Sequence, residues 1–282
     1  NPVKFRPKRL CFCVESDAPV GDRTRIGGEI RVRDVSAIMR AASDAPAAFD
    51  ISLPSVRFDV PATFPEPVAL SNVRIVGAVV SSERAIRFTQ INAQSGQGTL
   101  TANGRLYWAE AGAGDERRMR TGLQVNGQIA GALEARDVIQ MWPIGLGEGA
   151  REFLTRSIMG GRVTDATVRL DIRPDDLVDG ILSDEAVDVR FNVVDGALRF
   201  LTTMSPVTNI TGSAIVRGNR FDMTAPSARI NNLVDRDGRV EIPRFKPKGE
   251  LATISARADG AARNMIELLL QEPLGLGDRL PI

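Results

Sequence analysis

The sequence predicts a mainly β protein, a long antiparallel meander carrying a few short helices. Two observations predict it. Apolar and polar residues alternate with period two through most of the 282 residues, which is the pattern of strands with one apolar and one polar face. The alternating runs also follow one another across short polar turns, without the helices that a parallel βαβ sheet places between its strands.

Near the start of the chain stands Cys11-Phe12-Cys13. Residues two apart in a strand share a face, so these cysteines read as two small apolar residues on one surface, with a strained local disulfide or a reactive thiol as alternatives. Between Asp44 and Pro67 prolines fall at 46, 54, 61, 65 and 67, the composition of an extended edge or connector. A boundary placed there separates N-terminal strands and a Pro-rich connector, 1–67, from a longer β segment, 68–282.

Val73, Ile75, Gly77 and Val79 alternate up to a turn at Ser81-Ser82-Glu83, and Ile86 and Phe88 return from it. Leu100, Ala102, Gly104 and Leu106 continue the rhythm, then Leu123, Val125, Gly127 and Ile129, then Val168, Leu170 and Ile172. The clearest run is Val187, Val189, Phe191 and Val193, interleaved with Asp188, Arg190 and Asn192. Asp195-Gly196 then reads as a hairpin turn before Leu198 and Phe200. Ile215 and Arg217 lead into Gly218-Asn219, with Phe221, Met223 and Ala225 coming back. One apolar face is expected to be lined by Val73, Ile75, Val79, Ile86, Phe88, Leu123, Val125, Ile129, Val168, Leu170, Ile172, Val187, Val189, Phe191, Val193, Leu198, Phe200, Ile215, Phe221 and Met223.

Three segments break the rhythm. Residues 134–142 run into Pro143 as a short helix, and 148–159 place Ala150, Phe153, Leu154 and Ile158 on one stripe, with Gly160-Gly161 as the expected terminator. The third, 261–271, carries Met265, Ile266, Leu268, Leu269 and Leu270 before Pro273. Helices this short need something to pack on, so they are expected to cap the sheet.

Composition narrows the chemistry. Lys and Arg total 36 against 35 Asp and Glu, and aromatics make up 5%, so neither a field for phosphates nor a set of stacking platforms favours nucleic acid. No run approaches the eighteen or so apolar residues of a membrane span. The absence of histidine removes the usual general base, the Ser-His triad and most catalytic metal sites. Asp175-Asp176 and Asp184-Glu185 flank Leu177, Val178, Ile181 and Leu182, but adjacent carboxylates point apart in a strand and mark the solvated first turn in a helix. Asp235-Arg236-Asp237-Gly238 begins like a calcium loop, yet Glu241 comes too soon for the twelfth-position ligand, and a hairpin turn is the better reading. Gly145, Gly147 and Gly149 follow Trp142-Pro143 rather than a strand, which favours a linker over a phosphate cradle. Asn209-Ile210-Thr211 matches a glycosylation acceptor, a pattern short enough to arise by chance. No catalytic residue, no metal and no cofactor is expected, and the chain reads as a non-enzyme. It begins at Asn1 without Met and ends at Pro281-Ile282 without a closing element, which suggests a piece of something longer.

Met141-Trp142-Pro143, Ala150-Arg151-Glu152-Phe153-Leu154, Gly160-Gly161-Arg162-Val163 and Ala166-Thr167-Val168-Arg169-Leu170 resemble the AsmA-like family, in particular its large YhdP and TamB type. Phe191-Asn192-Val193, Leu198-Arg199-Phe200, Ser205-Pro206-Val207, Ile210-Thr211-Gly212, Phe221-Asp222-Met223 and Pro273-Leu274-Gly275-Leu276 are similar to its recurrent strand, proline and turn elements. The resemblance covers residues 120–280 well and the first 120 by strand rhythm alone. It implies an envelope protein of a double-membraned bacterium, anchored in the inner membrane by a segment outside this chain. The fold it implies is an open curved sheet, a U-shaped β-groove through the periplasm that carries phospholipid toward the outer membrane.

The physical reading runs alongside it. An open sheet must cover its apolar face with a second sheet, with helices or with ligand, and each acyl methylene taken out of water contributes about 0.8 kcal/mol. Three readings stand: a segment that binds or conducts phospholipid, an envelope structural or outer-membrane assembly factor that offers sheet edges to other envelope proteins, and a closed β-sandwich or solenoid whose apolar face is core.

Overall fold

The computed structural model describes residues 10–17, 23–30, 46–59, 61, 64–112, 114, 117–142, 144, 148–176, 182–200, 202–245 and 251–271. Strands β1 (Leu10–Asp17) and β2 (Arg23–Ile30) pair as an antiparallel ribbon. The large sheet then takes β3 (Ala47–Phe58), β4 (Val68–Val80), β5 (Ala85–Ser95), β6 (Gly98–Ala111), β7 (Arg118–Glu134), β8 (Ile158–Ile172), β9 (Val187–Leu198), β10 (Val207–Arg217) and β11 (Arg220–Ile230) in chain order, each antiparallel to the next. The near half of β11 pairs with β13 (Gly238–Ile242) and its far half with β12 (Leu233–Asp235). β14 (Thr253–Ser255) extends the sheet beyond β13, and β15 (Ala258–Asp259) lies beside β12. The result is an open antiparallel sheet of 13 strands, the meander that the alternation predicts. Among the described residues, short helices α1 (Ala135–Gln140), α2 (Glu148–Ser157) and α3 (Ala262–Leu269) fall where the rhythm breaks.

Four local expectations are corrected. Asp195-Gly196 is no hairpin turn but a kink inside β9, and Asp195 takes the left-handed conformation at φ 53. Gly160-Gly161 does not end a helix: α2 stops at Ser157 and both glycines lie within β8. Asp235 to Gly238 joins two strands that both pair with β11 rather than with each other, so it is a bend, not a hairpin. The Asp235 carboxylate is buried and accepts the Arg257 amide at 2.8 Å. Ile215 faces away from the other expected lining residues, as the register below shows. Ser81–Glu83 and Gly218-Asn219 do turn the chain between neighbouring strands. Gly145 and Gly147, Leu177, Val178 and Ile181, and Pro273 to Leu276 lie outside the described residues, as do the side chains of Cys11 and Cys13.

An extra residue on one strand breaks the register at several steps across the sheet. One such step lies between Ser71 and Arg74, one between Phe88 and Ile91, one between Ile129 and Ala132, one between Thr164 and Thr167, and others fall in β9, β10 and β11. Asn72, Asp165, Asp195 and Asn209 carry the positive φ at these places, a conformation that Asn and Asp adopt more readily than other side chains. Each bulge bends its strand and increases its local twist. Each also keeps apolar residues on one side where strict alternation would move them to the other. Val193 and Gly196, three apart, are such a pair, since a Cβ on Gly196 would meet Val193 Cγ1 at 2.8 Å.

The strands approach closely where glycine allows it. A Cβ on Gly104 would stand 2.0 Å from the Gln124 carbonyl oxygen in the next strand, whereas one on Gly160 would meet nothing within 4 Å. Gly104→Ala is therefore expected to destabilise the fold by about 2 kcal/mol, with Gly160→Ala within about 0.5 kcal/mol of the parent or slightly stabilising. Urea denaturation of the two variants checks this, and equal midpoints would show that the β6–β7 spacing is not so constrained.

Candidate functional site

Directly paired residues of an antiparallel sheet point to the same face, so the register can be read across the strands as rows. One row runs Ile51, Ile75, Ile91, Ala102, Gly127, Val168, Val189, Val216, Phe221, Ile242. It crosses ten strands without a polar residue and is roughly 43 Å long at about 4.8 Å per strand. Beside it lie Phe49, Gly77, Phe88, Gly104, Val125, Leu170 and Val187, and beyond them Ala47, Val79, Ile86, Leu106, Leu123 and Ile172. Phe191, Ala214, Met223, Val240 and Ile254 continue the same face toward the other edge of the sheet.

The opposite face is built from the residues between. Shifting one position along each strand gives Ser52, Arg74, Asn92, Thr101, Gln128, Thr167, Arg190, Ile215, Asp222, Glu241 and Thr253. Ile215 thus stands between Arg190 and Asp222, and Val216 takes the place expected for it. Side chains on this face bond to one another across strands. Arg105 Nε donates to Gln124 Oε1 at 2.7 Å, and Gln124 Nε2 donates to Asp171 Oδ1 at 2.7 Å. Arg74 pairs with Asp50 at 3.1 Å, and Asp188 receives Arg190 at 2.8 Å and Arg217 at 3.3 Å. The hydrogen bond from Arg190 does most to hold the Asp188 carboxyl below its ordinary value; burial opposes it, and the charges of Arg190 and Arg217 add to the lowering.

Burial separates a closed core from an open face. Of the expected lining residues only Val73, Ile172 and Val187 are fully covered, at 4%, 4% and 6% exposure. Val79 is 38% exposed, and the others, Val189, Phe191, Val193, Phe221 and Met223 among them, are half-buried. Leu53, Val56, Val73 and Ala93 do form a buried cluster at one end of β3 to β6. Elsewhere on the face the Val, Ile and Phe side chains of the row are half-buried rather than enclosed. Leu198 ends β9, while Phe200 lies past it and packs against Phe153 of α2 with ring centroids 6.3 Å apart.

Ile91, Val216 and Ile242 belong to the row but were not among the expected lining residues. Ile91 is three residues on from Phe88, with the bulge between them resetting the phase, and Val216 follows another apolar residue, so the alternation there fits either phase. The paired carboxylates serve the loops. Asp175 accepts the Gly112 amide at 3.0 Å, Asp176 the Arg173 amide at 2.8 Å, and Asp184 lies 3.7 Å from Arg220. Asn209 sits at a bulge in β10.

The family model described as YhdP protein matches residues 32–280. No curated protein and no solved structure matches the chain.

The polar face generates a pH dependence. A carboxyl whose folded pKa is depressed contributes stability that is present above its unfolded value, ordinarily 3.8, and is lost as pH falls through the folded value. Asp188→Asn is therefore expected to unfold at lower urea than the parent at pH 7, with the gap closing as pH drops from about 4 toward 2. A gap that stays constant across that range would mean that the ionised carboxylate is not its source.

Proposed function

The chain belongs to the YhdP family, of the AsmA-like type, and from that premise we propose that the apolar face of its sheet is a groove for the acyl chains of phospholipid. One observation carries the reading: the face presents unbroken apolar rows whose side chains are half-buried rather than sealed in a core. Completing the burial of a Val, Ile or Phe side chain that is already half covered contributes about 1 kcal/mol. Eight of the row's ten residues are Val, Ile or Phe, so the total is about 8 kcal/mol, as large as the stability of a whole domain, and leaving the face in water is costly. Acyl chains would cover it without directional contacts, and the row exceeds the roughly 30 Å hydrocarbon thickness of a bilayer. The polar face is cross-linked by its own ion pairs and suits water.

In this reading the chain acts without catalysis, as a periplasmic segment of an envelope protein that moves phospholipid between inner and outer membrane. Among the described residues no helix is long and apolar enough to cross a membrane. The buried cluster at β3 to β6 favours protein packing for that corner, and the lining role is strongest from β7 to β11, where the rows are half open.

Photo-crosslinking amino acids placed in turn at positions 189, 190, 191 and 192 test the reading. Phospholipid adducts are expected at 189 and 191 and not at 190 and 192. Phe191→Asp, which sets a charge among acyl chains at a cost of several kcal/mol, should lower lipid occupancy, while Arg190→Gln leaves it unchanged. Adducts to protein alone at 189 and 191 would identify the face as a closed core.

A further inference from the structure

At one end of β5 to β7 the apolar rows give way to a lip of different composition. Beyond Leu106 on the same face comes Trp108, half-buried and paired with Thr121, and beyond Thr121 comes Met119, which is 46% exposed. The Trp108 amide donates to the Arg84 carbonyl at 3.0 Å, which sets the Arg84 backbone opposite Trp108 on the β5 side. Arg84 closes the turn after β4 with φ 48, and its exposed guanidinium reaches over the lip, with Nη1 3.8 Å from Met119 Sδ.

A thioether is a weak acceptor, so this contact leaves the guanidinium donors free for a stronger one. Among the described residues the nearby carboxylates are engaged elsewhere: Glu83 pairs with Arg87, and Glu110 with Arg117 at 3.4 Å. Among the described residues, a cation with no acid partner thus reaches Met119, with Trp108 on the neighbouring strand, where the apolar floor ends. Indole rings favour such boundaries between apolar and wet surroundings, and the planar guanidinium fork matches the oxygens of a phosphate.

We propose that Arg84, with Trp108 and Met119, forms a headgroup site that holds the phosphate of a phospholipid whose tails lie on the rows beginning at Ile86 and Leu106. The proposal rests on the groove reading above and adds headgroup selection to it. Tails supply the bulk of the binding, and Arg84 discriminates between a charged head and an uncharged one.

The test compares two fluorescent-tailed lipids with the same acyl chains, phosphatidylglycerol and diacylglycerol, titrated into the delipidated 282-residue chain. Arg84→Gln is expected to weaken phosphatidylglycerol about threefold to fivefold, the scale of an exposed ion pair, and to leave diacylglycerol unchanged. Arg84→Lys should keep part of the preference, and Arg229→Gln, an exposed charge removed elsewhere, should match the parent. Equal weakening by the Arg84 and Arg229 variants, or loss of both lipids in Arg84→Gln, would overturn the headgroup site while leaving the groove standing. If neither lipid binds the parent chain, the groove reading falls and the headgroup site falls with it.

Discussion

Everything here depends on the opposition of successive side chains along a strand, locked in place by the hydrogen-bond register of each antiparallel pair. A slip of one residue between any two strands would put Arg190 and Asp222 among the valines and set Val189 beside Thr167 or Ile215. The register therefore carries the amphipathic character of the whole sheet, and the sheet in turn fixes how far the apolar rows extend. Without that lock the same composition would give a generic globule.

The bulges are the second half of the constraint. A flat sheet this wide would be unusual, and an extra residue placed on one strand at a time supplies the bend. Asn72 faces Pro54 at a gap in the β3–β4 register, where proline has no amide to offer. Past that point Val56 and Leu70 join Leu53 and Val73 in one buried cluster. Asp195 and Asp165 do comparable work deeper in the sheet, and their carboxylates meet Arg162 and Asn192. Curvature and one-sidedness thus come from the same residues.

Most of this architecture was legible in the sequence because alternation reports directly on faces. Val187 through Val193 could be assigned from pattern alone, and so could the three helices, where the pattern fails. What misled was local chemistry with two meanings. Asp195-Gly196 has the residue types of a hairpin turn, but a bulge asks for the same left-handed conformation, and only the pairing with β8 and β10 distinguishes them. Gly160-Gly161 likewise reads as a helix stop and proves to be strand. Ile215-Val216 are both apolar, so their phase is settled by the neighbouring strands and not by their own stretch of chain. The lip at Arg84 and Trp108 was out of reach for a different reason, since those residues meet only through the β5–β6 ladder.

The central claim is that an uncovered apolar face is completed by acyl chains. The most direct measurement extracts the purified chain with organic solvent and quantifies phospholipid by mass spectrometry against a control protein taken through the same steps. The account predicts phospholipid in at least stoichiometric amount, reduced in Phe191→Asp. A folded chain that carries no more lipid than the control would contradict it.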